Sequence, residues 1–223
     1  MKRILIFTVT AGSGHNIIAK NIKEAIIKNY NEFAEIKEIN FYKDYNCKFK
    51  SFLCDECYRF AVRHFRKSYN AIFKLKQKSK PVKRLHIDTK FMLAGLNKKI
   101  IKSVEEFNPH FILCTHFFPA IALSSIKAKD CECVKNVPIA LTVSDFVVCP
   151  FIEQATHIDY VFTFTNDLKS KLNCIGFNDT QIKVFAPPCK IEWQGLKSEE
   201  KEKSEKMTLV AMTGDGKFSG LVK

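Results

Sequence analysis

Three short stretches of this chain hold side chains able to move a proton or hold a ligand. The first is Thr10-Ala11-Gly12-Ser13-Gly14-His15. Its glycines let the backbone turn sharply and approach a ligand where a side chain would block it, and His15 falls where a helical pattern begins. The positive end of a helix dipole lowers an imidazole's pKa and favours the neutral, base-competent form; the alternative is a histidine that caps its own helix or a neighbouring loop. The second stretch is Thr115-His116-Phe117-Phe118-Pro119, in which His116 is either a ligand-facing group or a turn residue. The third is Ser144-Asp145-Phe146, an acid directly after an apolar run, placed either to share the chemistry or to brace its loop. The glycine loop is neither a dinucleotide fingerprint, since a third glycine in register is missing, nor a P-loop, since no Lys-Ser or Lys-Thr pair follows.

Each of these turns ends a short apolar, β-rich run, at residues 2–9, 111–115 and 139–143. Further strands are predicted at 35–41, 160–163 and 182–185. Helices are predicted from near Asn16, over 91–107 with a stop at Asn108-Pro109, over 120–127, and from a Thr165-Asn166-Asp167 start to Gly176. Strand–helix alternation predicts an α/β fold, a Rossmann-like parallel sheet with helices on both faces, and one domain over residues 1–193. Loops after parallel strands share one rim of the sheet, which is where His15, His116 and Asp145 are predicted to meet.

The chain has 223 residues, 46% of them hydrophobic, and a formal charge of +13, which favours an anionic partner. Much of that charge lies at 49–80, where Phe49, Phe52, Tyr58, Phe60 and Phe65 alternate with Arg59, Arg63, Arg66 and Lys67 in a helical pattern. Such a segment either buries its aromatics in the core or lies on an anionic bilayer. No nucleic-acid-binding motif is present, so nucleic acid is not the expected partner. Nine cysteines read as reduced thiols. Cys54, Cys57, Cys131 and Cys133 form a zinc site only if remote segments meet, and no metal is expected. Residues 194–206, rich in Lys, Glu and Ser, read as a linker. The run at 207–212 and the loop Gly214-Asp215-Gly216 read as the start of a second domain over 207–223, of which only the first strand is present.

The order of these motifs resembles the processive diacylglycerol glucosyltransferases of bacteria and the monogalactosyldiacylglycerol synthases of plants, glycosyltransferases of the family-28 type. The resemblance rests on Gly12-Ser13-Gly14-His15 with Ala19, Thr115-His116 with Pro119, Ser144-Asp145-Phe146, Asp159-Tyr160-Val161, Ala186-Pro187-Pro188 and Gly214-Asp215-Gly216. It implies the N-terminal domain of a GT-B enzyme that transfers a hexose from a UDP-sugar to diacylglycerol with inversion. The protein would be cytoplasmic and peripheral on the inner face of an anionic membrane. His15 and Asp145 would be the catalytic candidates, and Gly12, Ser13, Gly14, Thr115, His116 and Phe117 would bind the acceptor. Gly214 and Gly216 would belong to the donor site, UDP-sugar would be bound only where the second domain is supplied, and no cofactor is implied. The alternative is a catalytically silent lipid-surface module. Cys149 and Ile152 stand where the family commonly has His and then Trp, Ala186 replaces a Gly, and Lys190 replaces an Arg.

Overall fold

A computed structural model describes residues 1–190 apart from 12, 31, 66, 69–70, 72–86, 146 and 150. Gly12, the linker at 194–206, the strand at 207–212, and Gly214 and Gly216 lie outside the described residues. Among them, six parallel strands form one sheet: β1 (Lys2–Thr8), β2 (Ala34–Asn40), β3 (Phe111–Cys114), β4 (Ile139–Thr142), β5 (Tyr160–Thr163) and β6 (Ile182–Val184). Their order is β2-β1-β3-β4-β5-β6. From β1 the chain winds outward to β2, then crosses back over β1 to begin β3. The loops that leave β1 and β3 therefore diverge, and this reversal opens a crevice at the carboxyl rim.

The central strands are apolar on both faces because both faces are covered. Leu5, Ile6 and Phe7 are wholly buried, as are Ile112, Cys114, Ile139 and Ala140. On one face Ile6, Leu113 and Ala140 meet Ala19 of α1 (Gly14–Tyr30). On the other, Leu5, Phe7, Ile112 and Leu141 join the larger core. That core is built with α4 (Ile87–Leu93), α5 (Asn97–Phe107), α6 (Phe117–Lys127), α7 (Glu132–Lys135) and α8 (Asn166–Cys174). The expected parallel sheet with helices on both faces is what the chain forms.

Several boundaries differ from the sequence reading for identifiable reasons. The helix predicted over 91–107 is two helices, because Gly95 adopts a left-handed φ of 74° and the chain turns between α4 and α5. Asn108 ends α5 as expected, in the left-handed conformation with φ 48° and its N–H on the carbonyl of Val104. Helix α6 starts at Phe117, three residues before the predicted Ala120. The ring Nδ1 of His116 accepts the N–H of Phe118 at 3.1 Å, and Pro119 sits in the first turn, where its missing N–H costs nothing. Thr165 caps α8 as predicted, accepting from the N–H of Leu168.

The basic aromatic segment is helical over its described part: α2 (Lys48–Phe52), a π-helical turn (Leu53–Cys57) and α3 (Tyr58–His64). Leu53 and Cys54 pack against the core, whereas Phe49, Phe52, Phe60 and Phe65 are each more than half exposed. The motif acid Asp159 is structural. Its Oδ2 accepts the N–H of Ile139 at 2.7 Å and the ammonium of Lys127 at 2.5 Å, fixing the start of β4 against the end of α6.

Candidate functional site

Register brings the three chemistry-bearing turns together. Phe7 pairs with Cys114 and Cys114 with Leu141, so the residues that leave β1, β3 and β4 emerge side by side at one rim. His15 lies in the first turn of α1, whose first helical hydrogen bond runs from the N–H of Ile17 to the carbonyl of Ser13. Its Nδ1 donates to the backbone carbonyl of Thr115 at 2.6 Å, across the point where the strand order reverses. Since a carbonyl can only accept, the ring proton is on Nδ1 and the lone pair is on Nε2. The hydroxyl oxygen of Ser144 lies 3.2 Å from the same Nδ1 and is a second acceptor for that proton.

The imidazole of His116 meets that of His15 edge to face, with centroids 4.5 Å apart, and stacks on Phe117 at 4.2 Å. His15, Thr115, His116, Phe117, Ser144 and Asp145 line one partly open cleft of about 20 Å³, room for an oxygen-sized group. Burial lowers the pKa of His15 from its usual 6.5, against the opposing effects of the Thr115 carbonyl and the Asp145 charge. Burial, and then the neighbouring His15, hold His116 well below 6.5. Both rings are therefore neutral at neutral pH.

The predicted residues divide accordingly. His15, Thr115, His116, Phe117 and Asp145 are brought together, with Asp145 exposed and acting on His15 through its charge. Ser13 and Gly14 form the exposed edge of the loop. A Cβ built on Gly14 would meet nothing within 4 Å, so packing does not require glycine there. Sequence reasoning missed the Thr115 carbonyl and the Ser144 hydroxyl as the groups that set the His15 tautomer. Ser144 directly follows the run that forms β4, and its register with the end of β3 was the available signal. Cys149 and Ile152, the departures from the family pattern, line the same cleft. A larger recess of about 280 Å³, lined by Ile22, Ile26, Phe111, Leu113, Phe162 and Phe185, lies on the α1 face and contains no titratable side chain. The described residues hold no group of three or more His, Cys, Asp or Glu side chains suited to a metal ion.

A family model described as monogalactosyldiacylglycerol (MGDG) synthase matches residues 15–189. The chain belongs to the MGDG synthase family. This MGDG synthase family member is 23% identical over 196 residues to the processive diacylglycerol β-glucosyltransferase of Bacillus subtilis (strain 168). The match covers 86% of this chain and 47% of that relative, so the chain spans about half the length of the curated relative it matches. Among solved structures it is similar to the lipopolysaccharide outer core galactosyltransferase WaaB in its apo form, with 15% identity, a TM-score of 0.47, and 82% of this chain and 45% of that one covered. It is also similar to Acinetobacter baumannii MurG, with 8% identity, a TM-score of 0.46, and coverages of 85% and 46%.

Proposed function

We propose that this chain is the acceptor-binding domain of a GT-B glycosyltransferase that moves a hexose from a UDP-sugar to the free hydroxyl of diacylglycerol. The observation that carries the reading is the His15 tautomer. A neutral ring whose Nδ1–H is held by the Thr115 carbonyl presents an Nε2 lone pair in a narrow cleft at the sheet's switch point. The acceptor oxygen attacks the anomeric carbon and its proton passes to His15. The bond from that carbon to the diphosphate breaks, the electron pair leaves with UDP, and the configuration inverts. Asp145 favours the imidazolium that forms, through its charge. Residues 207–223, with Gly214 and Gly216, begin the domain that binds the UDP-sugar, and residues 194–206 link the two.

Membrane contact is part of the same proposal. Phe49, Phe52, Phe60 and Phe65 are exposed on the segment that carries the exposed cations Lys48 and Arg63, while Arg59 pairs with Asp55 and Glu56. No helix among the described residues is long and apolar enough to cross a membrane. Surface attachment through exposed aromatics and cations suits a lipid acceptor. The test is a transfer assay with the full-length gene product, UDP-hexoses and diacylglycerol in anionic vesicles. Glycolipid formation that His15→Ala abolishes supports the reading. Vesicle binding with no transfer from any UDP-hexose overturns it in favour of a silent lipid-surface module.

A further inference from the structure

The two neighbouring histidines are fixed by backbone groups of opposite kind. His15 Nδ1 faces a carbonyl, which can only accept, at 2.6 Å. His116 Nδ1 faces the N–H of Phe118, which can only donate, at 3.1 Å. A neutral imidazole carries one proton, so His15 holds it on Nδ1 and His116 on Nε2. Burial of His116, which is 4% exposed, its stacking on Phe117 and its tilted contact with Phe118 keep that ring in place.

We propose that His15 and His116 form a paired hydroxyl-recognition element, His15 offering an Nε2 lone pair and His116 an Nε2–H donor to one alcohol oxygen of the lipid acceptor. This rests on the proposed function and deepens it, since it gives His116 a role apart from capping α6. An alcohol is the group that matches both partners: its proton goes to His15, one oxygen lone pair accepts from His116, and the other lone pair remains for attack. An ester oxygen at the same position has no proton to give and leaves His15 unpaired. His15 and His116 both line the cleft, which has room for an oxygen-sized group. In this arrangement His116 orients the nucleophile, and no proton leaves His116 at any stage.

The tautomers are read directly from two-bond ¹⁵N–¹H correlations of the imidazoles in the ¹⁵N-labelled full chain. His15 is expected with its proton on Nδ1 and His116 with its proton on Nε2, both at pH 7. A His116 protonated on Nδ1, or two rings in the same tautomer, overturns the proposal. Titration with a short-chain diacylglycerol in micelles is expected to shift the Nε2 signals of both rings, whereas the matching triacylglycerol shifts neither. Equal shifts with both lipids, or none at His116, also overturn it. In the full-length enzyme His116→Asn keeps a preferred helix cap but lacks the ring donor. Its kcat is expected to fall about 100-fold with little change in thermal midpoint, as for loss of one oriented donor. Unchanged kcat in that variant overturns the proposal. Absence of transfer by the wild-type enzyme instead counts against the glycosyltransferase reading, while the spectra still decide the pair.

Discussion

His15 and His116 stand edge to face with ring centroids 4.5 Å apart and an interplanar angle of 69°. Two imidazolium cations at that separation would repel by roughly 4 kcal/mol at an effective dielectric constant near 20. The pair therefore takes up one proton far more readily than two. His15 is the ring that gains by taking it, because the Asp145 charge favours its imidazolium and the Thr115 carbonyl already holds its Nδ1–H.

His15→Ala removes the proposed base and is expected to leave the fold intact, since the side chain is only partly buried at the start of α1. In the full-length protein it is expected to lower kcat of the proposed transfer about 10²- to 10⁴-fold with unfolding midpoints unchanged. Steady-state transfer kinetics beside a urea titration check both halves. Asp145→Asn is expected to lower the His15 pKa further and to reduce kcat by less, in proportion to the charge removed.

Stability is expected to decline as pH falls below about 6.5. His116 is harder to protonate folded than unfolded, so the unfolded chain binds more protons between the depressed folded pKa and the ordinary value. Its contribution is complete above the unfolded pKa and is lost as pH falls through that window, at up to about 1.4 kcal/mol per pH unit. His15 carries the same sign, moderated by Asp145 and the Thr115 carbonyl. Urea midpoints at pH 8, 6.5 and 5 measure the slope, and His116→Asn is expected to flatten it.

Gly14 separates folding from ligand contact. Its φ lies outside the left-handed region and a Cβ there would meet nothing within 4 Å, so Gly14→Ala is expected to fold with wild-type stability. Alanine within the first turn of a helix is, if anything, favourable. A rise in KM with an unchanged thermal midpoint would show that a ligand approaches this backbone. Unchanged KM would place the ligand elsewhere.

Phe52 and Phe60 are 53% and 57% exposed and contribute little to the core. The double change Phe52→Ser and Phe60→Ser is expected to leave circular dichroism and thermal midpoint nearly unchanged. Binding to anionic vesicles should weaken at least tenfold, at about 1.5–3 kcal/mol per fully buried aromatic. Flotation of wild type and variant at two salt concentrations separates the apolar part of binding from the electrostatic part.

Asp159 supports two elements at once, through the N–H of Ile139 and the ammonium of Lys127. Asp159→Ala is expected to destabilise the domain by about 1–3 kcal/mol, because it leaves the buried N–H of Ile139 unpaired and the Lys127 ammonium with the Val137 carbonyl in place of a carboxylate. A urea midpoint shift with unchanged m-value checks this. Asp159 in the motif Asp159-Tyr160-Val161 then serves folding rather than contact with substrate.

The parallel sheet was legible because strands covered on both faces must be apolar throughout, and Ile4-Leu5-Ile6-Phe7 and Phe111-Ile112-Leu113-Cys114 have no other reading that fits their length. The shared rim followed from topology. What sequence could not supply were contacts decided by side-chain placement. The hydrogen bond from His15 to Thr115 joins residues 100 apart in the chain. Histidine is not a preferred cap, so the early start of α6 at His116 had no local signature. The break at Gly95 was hidden by helical spacing that continues through it, since a single left-handed residue rotates the next helix without disturbing the apolar count.

One hydrogen bond joins the last described stretch of the chain to its first helix. The amide of Asn21, buried within α1, donates to the carbonyl of Pro188 at 3.1 Å. The departing strand of chain is thus moored to the helix whose amino end carries His15, six residues away. Pro188 is held by that helix, as Phe185 three residues earlier is held by the sheet through the carbonyl of Thr163.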